Sequence, residues 1–341
     1  MNSKDIYLYT LQNQQGTTVK ITNYGAIITS FIIKDKNDQE NDIVLGFDDI
    51  SSYWAPEYLA KHPWFGCAVG RYANRIKDAK FELDGKVYQL TRTPGQGNEQ
   101  LHGGIDGFDK KFWTFINSGN DPHPFLELSY LSVDGEEGFP GDLETIIKYE
   151  LSNDNVLSYE YTAVCDKPTP VNLTHHSYFN LNNGDGTIHD HDLRIPASER
   201  LEQVGNLVAS GNYVPVEDTA YDFRKFKRIG DGLESVDEFD SSYVIDRNND
   251  KTLQLVAETK SKQSGLLLQL HSTEPVVHFY SGKWIPPVTG KRGIHYKPFS
   301  GFCLETHIHP NAVNVPHFPN TILRPGERYY QRTEYHLHLE K

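Results

Sequence analysis

The sequence has few cysteines, and this scarcity limits the kinds of fold and site it can contain. Only Cys67, Cys165 and Cys303 occur in 341 residues, far apart and in no C-x-x-C pair. A small disulfide framework and a structural zinc site both need closely spaced cysteines, so both are excluded. We expect three buried thiols in a reducing compartment.

Long apolar segments and an excess of positive charge are also missing. No apolar run approaches the ~18 residues of a membrane span. The first residues, MNSKDIYLYTLQNQQG, contain no apolar stretch of signal-peptide length, so we expect a cytoplasmic protein that does not enter a membrane. The net charge of −13 disfavours nucleic acid and anionic membrane surfaces as partners. A neutral small molecule such as a sugar meets no such barrier.

Helical periodicity is scarce, whereas strand patterns recur along the whole chain. FLELSYLSV, DLETIIKYEL and VLSYEYTAV alternate and are rich in β-formers, and FELDGKVYQL predicts a hairpin that turns at Asp84-Gly85. SSYWAPEYLAKHPW favours one short turn of helix. Many short strands without a βαβ alternation predict an all-β sandwich or barrel. No linker or repeat divides the chain, so residues 1–341 are predicted to form one domain.

Two adjacent histidines lie in the segment NLTHHSYFNL, which we interpret as a strand. Because neighbouring side chains of a strand point to opposite faces, His176 shares one face with Thr174 and Tyr178. His175 shares the other with Leu173, in a mostly apolar row. The polar row either faces solvent or lines a cleft. If one of the pair is catalytic, His176 is the candidate, and His175 is a hydrogen-bonded core residue.

The same alternation divides GFCLETHIHP into an apolar and a polar face. Glu305 lies on the polar face beside Cys303 and His307, without a lysine or arginine near it in the sequence. Such a carboxylate is either an ordinary exposed charge or a desolvated base, because burial raises a carboxyl pKa toward neutrality.

Three H-x-H motifs raise the question of a metal site. They occur at 189–191, 307–309 and 336–338. Two histidines on one strand face can share a metal ion. However, the chain has 15 histidines, so some such spacings arise by chance, and no glutamate follows the second motif as a cupin-type site requires. We therefore interpret the motifs as incidental and expect no metal and no cofactor.

Two further motifs supply groups that hold polar ligands. GRYANRI (70–76) carries two arginines four residues apart, and a guanidinium offers a rigid fork of donors for hydroxyls or carboxylates. The alternative is a pair of ion-paired arginines. In LHGG (101–104), two glycines follow His102 and allow a tight turn and close approach of a ligand to the backbone. No Walker-type or G-x-G-x-x-G loop accompanies them.

Taken in order, eight segments resemble the aldose 1-epimerase (galactose mutarotase) family. Each is modest, but together they run from about residue 66 to 335 in the family's order. They are GRYANRI, LHGGIDGFDKKFW, FPGDLE, NLTHHSYFNL, FDSSYVID, EPVVHFYSGKW, GFCLETHIHPNAVNVPHFP and LRPGERYYQRTEY.

The resemblance implies a large antiparallel β-supersandwich with an open sugar-binding cleft. It implies an isomerase that interconverts the α and β anomers of aldohexoses such as galactose and glucose, without a cofactor, as a monomer or homodimer. By match to the family's motifs, Glu305 is expected to be the general base and His176 the general acid. The residues expected to hold the sugar or support the acid are Asn74, Arg75, His102, Tyr178, Asp240 and His278.

The sequence departs from the family's pattern at five positions, none of which removes a proposed catalytic group. The family usually has Gln where His278 stands and often has Asn where His175 stands. The other departures are Ser241, His307 and Asn311. The departures expected near the sugar leave open the question of which aldose the protein prefers.

Two other functions remain possible at this level. A hexose-6-phosphate 1-epimerase would use the same chemistry with extra basic residues for the phosphate, which the acidic composition disfavours. A non-catalytic sugar-binding protein would keep the cleft and lose Glu305 or His176, yet both are present. A glycosidase would need two carboxylates flanking an exocyclic bond, where this chain offers one carboxylate and one imidazole.

Overall fold

The computed structural model describes residues 6–247 and 251–340, and short strands dominate this part of the chain. The strands are β1 (Leu8–Gln12), β2 (Thr18–Thr22), β3 (Ile28–Lys34), β4 (Glu40–Asp42), β5 (Ala68–Val69), β6 (Arg75–Ile76), β7 (Lys80–Leu83), β8 (Lys86–Gln89), β9 (Gln100–Leu101), β10 (Thr114–Gly119), β11 (Phe125–Ser132), β12 (Leu143–Leu151), β13 (Val156–Cys165), β14 (Thr169–Pro170), β15 (Thr174–His175), β16 (Tyr178–Phe179), β17 (Asp192–Arg194), β18 (Glu199–Val204), β19 (Val208–Pro215), β20 (Lys227–Arg228), β21 (Asp240–Val244), β22 (Gln254–Lys260), β23 (Leu266–Ser272), β24 (Val276–Tyr280), β25 (Val288–Thr289), β26 (His295–Tyr296), β27 (Phe302–His307), β28 (Ile322–Leu323) and β29 (Tyr329–Leu339).

Helices are few and short. The α-helices are α1 (Pro56–Leu59) and α2 (Ile229–Leu233); the 3-10 turns are Ile50–Trp54, Lys77–Ala79, Phe108–Lys110, Glu136–Gly138, Ile188–Asp190, Lys291–Gly293 and Ala312–Asn314. In the described residues, no helix is both long enough and apolar enough to span a membrane.

A nine-stranded sheet forms the larger layer, in the order β10-β11-β12-β13-β29-β23-β22-β17-β20, with every neighbour antiparallel. Strand β29, from late in the sequence, fills the centre between β13 and β23. The inner face alternates with the outer one, as along β12, where every second residue is buried. This sheet confirms the all-β prediction.

A six-stranded antiparallel sheet, in the order β16-β27-β24-β21-β18-β19, packs against the large sheet, and a four-stranded sheet β1-β2-β3-β4 adjoins them. One apolar cluster joins the layers, with Ile147 and Leu268 from the large sheet and Phe279 and Leu304 from the smaller one. The architecture is therefore the antiparallel sandwich expected from the sequence.

The local predictions outside the core are confirmed. Strands β7 and β8 form a hairpin in which Leu83 pairs with Lys86, and Asp84 and Gly85 both have positive φ, as a two-residue turn of this type requires. The short helix after Ser51 is also present. Its 3-10 turn is capped by Asp49, which accepts the N–H of Ser51, and Pro56 opens α1.

Two predictions need correction. The segment 172–181 is not one continuous strand, because β15 pairs with β5 whereas β16 pairs with β27, and the ladder is interrupted at His176 and Ser177. Also, only Cys67 and Cys303 are buried, and Cys165 is partly exposed at the end of β13; all three are free thiols. The break between β15 and β16 places His176 at a crossing between two sheets.

Candidate active site

The polar face of the six-stranded sheet carries three of the predicted site residues side by side. Glu305 on β27 pairs directly with His278 on β24, which pairs with Ser242 on β21, two residues after Asp240. Directly paired residues share a face, so these side chains point away from the apolar cluster that holds Phe279 and Leu304. The pairing of these strands thus brings together residues that are 65 positions apart in the chain.

Glu305 is a desolvated carboxylate, as one of the two sequence interpretations expected. Its side chain is buried, and its Oε2 atom has no hydrogen-bond partner. Burial raises the pKa of Glu305 to about 7; the charges of His278 and Arg75 lower this pKa, and that of Asp240 raises it. The carboxyl group can therefore both hold and release a proton near neutral pH.

Asp240 and His278 form a tight pair beside Glu305. The Oδ1 of Asp240 lies 2.7 Å from Nε2 of His278, and the Nδ1 of that ring lies 2.8 Å from Oγ of Ser242. Burial opposes the charged form of Asp240, but the hydrogen bond and charge of His278 outweigh it and lower the pKa of Asp240. The carboxylate is thus ionised and held in one orientation.

His176 approaches Glu305 from the crossing between β15 and β16. Its backbone N–H donates to the carbonyl of Cys67 (2.9 Å), and its carbonyl accepts from Gly66 (3.0 Å). The ring Nε2 lies 3.6 Å from Oε1 of Glu305. Burial lowers the pKa of His176 to about 3. This differs from the ordinary histidine pKa that a strand position in the sequence suggests, because a sequence does not reveal desolvation.

The facing side of the site comes from the pairing of β6 with β9. Arg75 is buried; its Nη2 donates to Gln96 (3.2 Å), and its Nε has no partner. Asn74 and His102 hold each other, because the N–H of His102 donates to the carbonyl of Asn74 (3.0 Å) and the N–H of Asn74 donates to Nδ1 of His102 (3.3 Å). The imidazoles of His102 and His176 stand edge to face with centroids 5.1 Å apart.

The two arginines of GRYANRI have different surroundings. Arg71 is turned away from the cluster and donates to the carbonyls of Ser132, Val133 and Pro140. The glycines of LHGG allow a tight turn, as expected, but protein atoms approach them closely: the backbone of Gly70 at Gly103 and the side chain of Glu137 at Gly104. A Cβ on Gly103, whose φ is +85°, would lie 1.9 Å from the carbonyl oxygen of Gly70.

The neighbouring residues of His176 lie where the strand faces predict. His175 is buried in the core, with Nε2 3.2 Å from the hydroxyl of Tyr149 and Nδ1 3.2 Å from that of Ser177. Tyr178 is buried with its ring 5.1 Å from that of His176. All residues from 171 to 181 are buried, so the polar row does not face solvent.

Sequence reasoning missed two contacts of His176. The Sγ of Cys303 lies 3.5 Å from its Nδ1. The indole of Trp64 packs against both His102 (5.2 Å) and His176 (6.2 Å), and Trp64 has a positive φ. Cys303 could have been found from its place two residues before Glu305 on one strand face. No signal in the sequence marks Trp64, which reaches the site from an irregular loop.

The residues at which this chain departs from the family's pattern lie in different parts of the structure. His307 is buried on the face of Glu305 and donates from Nδ1 to the carbonyl of Ile308. Ser241 is buried opposite Phe279, on the core face of β21. Asn311 accepts the N–H of Lys77 and donates to the carbonyl of Ala209, which is a structural role. Among these positions, His278 and His307 lie beside the carboxylates.

Within the described residues, one group of potential metal ligands already has its donor atoms gathered, and it lies in this site. His102, His176 and Glu305 each offer an atom within 4.8 Å of the others. However, Nδ1 of His102 accepts the Asn74 N–H, so the neutral ring carries its proton on Nε2. A ring held in this tautomer is a hydrogen-bond donor rather than a metal ligand.

An open cavity of about 330 Å³ lies elsewhere, bordered by His189, Leu233 and Phe299. No convergent set of buried acid–base groups lines it, so we locate the candidate site at the cluster around Glu305.

Known proteins resemble this chain over most of its length. The sequence model of the family described as aldose 1-epimerase matches residues 7–336. The galactose mutarotase of Sus scrofa is 40% identical over 331 residues, which cover 95% of this chain and 92% of that protein. The aldose 1-epimerase of Escherichia coli K12 is 34% identical over 342 residues, covering 98% and 95%.

A solved structure extends the likeness to the fold. The GalM/aldose epimerase homologue from C. elegans superimposes with a TM-score of 0.89 at 31% identity, covering 98% of this chain and all of that one. Sequence and structure agree over nearly the full length of each relative. The chain therefore belongs to the aldose 1-epimerase family.

Proposed function

We propose that the protein is an isomerase, an aldose 1-epimerase that interconverts the α and β anomers of aldohexoses such as galactose and glucose. The observation that carries this proposal is the buried pair of Glu305 and His176, with 3.6 Å between carboxylate and imidazole and no other partner on Oε2 of Glu305. Its relatives' names, galactose mutarotase and aldose 1-epimerase, support the same activity.

The reaction needs one base and one acid. Glu305 removes the proton of the C1 hydroxyl while His176 gives a proton to the ring oxygen, and the C1–O5 bond breaks to leave an open-chain aldehyde. Rotation about the C1–C2 bond presents the other carbonyl face. Closure reverses both transfers, so each group ends as it began. Each positioned acid or base accelerates such a step by ~10²–10⁴-fold.

To react, the pair must carry one titratable proton in addition to the N–H that a neutral imidazole keeps. Because burial raises the pKa of Glu305 to about 7 and lowers that of His176 to about 3, the pair holds one proton between these values. In the free site this proton resides on Glu305. The reacting arrangement has it on His176, and the bound sugar favours that arrangement by donating its C1 hydroxyl to the carboxylate.

The remaining predicted residues surround this pair and are proposed to hold the sugar. Arg75, His102 and Asn74 face it from one side, and Asp240 with His278 from the other. The Nε of Arg75 and the Nε2–H of His102 are donors, and the ionised Asp240 is an acceptor. Tyr178 packs on His176 and supports the acid. Donors and acceptors on both sides suit a neutral polyol.

The remaining expectations stay predictions. We propose one domain over residues 1–341, a monomer or homodimer, no cofactor and no metal requirement, and no nucleic-acid or membrane partner. The three free cysteines support a cytoplasmic location.

Polarimetry tests the function directly. Fresh α-glucose, α-galactose and glucose 6-phosphate are each followed with and without protein, in a dilute buffer because buffer acids and bases also catalyse anomer exchange. We expect acceleration with the free sugars and little with the phosphate. Acceleration confined to the phosphate would favour the 6-phosphate epimerase, and binding without any acceleration would favour a sugar-binding protein.

A further inference from the structure

A second cluster of histidines lies far from Glu305, on the outer face of the nine-stranded sheet. His336 and His338 are two residues apart on β29 and therefore share a face. On the neighbouring strand β23, His271 pairs with Glu334, which places it diagonal to His336. The last H-x-H motif of the sequence thus gains a third imidazole from another strand.

The three rings lie close together. The centroids of His271 and His336 are 4.3 Å apart, and those of His336 and His338 are 6.3 Å apart. His338 is exposed, so its ring can turn toward the other two by a change of rotamer. Two imidazoles on one strand and one on the next form an open three-nitrogen set of the kind that binds zinc or copper.

A carboxylate orients the central ring. Oε2 of Glu334 lies 2.6 Å from Nε2 of His336. This bond keeps the proton on Nε2 and leaves the lone pair of Nδ1 free, as in carboxylate–histidine–metal arrangements. The other oxygen of Glu334 accepts from Nε of Arg332, which also pairs with Glu160. The nearest cation is therefore neutralised by two carboxylates.

The outer rings are suited to ligation as well. Nδ1 of His271 is buried without a hydrogen-bond partner. His338 is exposed at the end of β29, so a metal ion can reach its ring from solvent.

In the other two H-x-H motifs, each histidine has one ring nitrogen engaged within the fold. The second nitrogen of His191, His307 and His309 is buried without a partner, as in His271. Nε2 of His191 accepts the N–H of Leu181, and Nδ1 of His307 donates to the carbonyl of Ile308. Nε2 of His309 lies 3.2 Å from the hydroxyl of Tyr213. The motif at 336–338 differs because Glu334 bonds directly to one of its own rings and because the ring of His271 lies only 4.3 Å from that ring.

We propose that His271, His336 and His338 bind one divalent transition-metal ion of the Zn²⁺, Ni²⁺ or Cu²⁺ class, with Glu334 as the residue that orients His336. The ion joins β23 to β29 at the centre of the sheet and stabilises the fold. It takes no part in the proposed anomer exchange, which depends on the other face of the sandwich.

The test uses full-length protein without an affinity tag, treated with chelator and titrated with NiCl₂ or ZnCl₂ by calorimetry. We expect one site and a rise in the thermal midpoint when metal is in excess. His336→Asn should lose the site, and Glu334→Gln should weaken it about 10–100-fold. His189→Asn, in another H-x-H motif, is the matched control and should bind as the wild type does. Electron paramagnetic resonance with CuSO₄ should show coupling to imidazole nitrogens that His336→Asn removes.

Three results would overturn the proposal. One is the absence of binding to the wild-type protein. Another is unchanged affinity in both His336→Asn and His271→Asn. A third is metal binding that His102→Asn abolishes and that competes with sugar binding. This result would place the ion at the catalytic pair. His336→Asn should retain full anomer exchange, so failure of the metal site is distinguishable from failure of the proposed function.

Discussion

Two carboxylate–imidazole pairs lie side by side in the candidate site, and they differ in how completely they are bonded. Asp240 and His278 are 2.7 Å apart, and the second nitrogen of His278 meets Ser242. Glu305 and His176 are 3.6 Å apart, and Oε2 of Glu305 has no partner. In the first pair both nitrogens of His278 are bonded, whereas in the second an oxygen of Glu305 is buried and still free to bond to another molecule.

The difference appears in the protonation of the two carboxyl groups. The side chain of Glu305 is 2% exposed and that of Asp240 is 14% exposed, yet the pKa of Asp240 is lowered and that of Glu305 is raised to about 7. A hydrogen-bonded imidazole compensates for burial in one case and not in the other. Two largely desolvated carboxyl groups thus become a fixed anion that can orient a hydroxyl and a proton acceptor that can react.

Of the changes that test this difference between the two pairs, removal of the base Glu305 should lower activity most. Glu305→Gln keeps the shape and removes the proton acceptor, so kcat should fall at least ~100-fold while sugar binding persists. Glu274→Gln is the matched control, because burial also raises the pKa of Glu274 to about 7 but Glu274 lies outside the cluster. Polarimetry and sugar-binding calorimetry measure both variants. More than about a tenth of wild-type activity in Glu305→Gln would contradict its role.

The adjacent histidines separate catalysis from packing. His176→Asn should lose at least ~100-fold in kcat with a similar thermal midpoint, since it removes the acid. His175→Asn introduces the residue common in the family, so it should keep most activity and change mainly stability. The measurements are kcat and thermal unfolding of each variant. An inactive, well-folded His175→Asn beside an active His176→Asn would mean that the two roles are reversed.

The two arginines of GRYANRI allow a similar comparison. Arg75→Ala should raise KM and lower kcat, because its guanidinium both holds the sugar and positions it against the acid–base pair. Arg71→Ala should lower stability and leave the kinetics of the folded protein near wild type, because Arg71 bonds to Ser132, Val133 and Pro140. Wild-type kinetics for Arg75→Ala would remove this residue from the site.

The pH profile tests how one pair influences the other. The rate of anomer exchange should decline as pH rises through about 7, because the catalytic pair then loses its titratable proton. This decline is the alkaline limb of the pH profile. His278 lowers the pKa of Glu305, so His278→Gln should move this limb to higher pH. Asp240 raises that pKa, so Asp240→Asn should move the limb to lower pH. The profile of kcat/KM against pH measures both shifts, and an unchanged limb in both variants would show that the pairs are independent.

The smallest expected effect concerns stability in acid. Burial lowers the pKa of His175 to about 3, so its neutral form stabilises the fold at neutral pH, and this contribution is lost as pH falls from about 6.5 toward 3. At pH 5 the loss amounts to about 2 kcal/mol. His175→Asn lacks this contribution, so its free energy of unfolding should change less between pH 7.5 and 5. Urea unfolding at both pH values gives the comparison.

Strand alternation predicted the face of Glu305, whereas Asp240 and His278 were expected from the resemblance to the family. Asp240, His278 and Glu305 lie on three neighbouring strands of one sheet, and a period of two decides which face each side chain occupies. The turn at Asp84-Gly85 is equally local, since two residues of positive φ satisfy it.

The features that could not be predicted depend on distant contacts. The interruption at His176 arises because β15 and β16 pair with different strands, β5 and β27. Trp64 reaches the site from a loop, and the pKa values of Glu305 and His176 follow from burial by many segments. The different roles of the two arginines likewise follow from distant contacts: Arg71 bonds to Ser132, away from the site, and Arg75 bonds to Gln96, beside it.

The position of β29 has a consequence for how the protein is made. Residues Tyr329–Leu339 fill the gap between β13 and β23. During synthesis, the edges of β13 and β23 therefore stay unpaired until this late segment leaves the ribosome. Exposed strand edges invite pairing with other chains. Nascent chains that stop before Tyr329 should therefore depend on chaperones and show no enzyme activity, which should appear in a single step once β29 has been added.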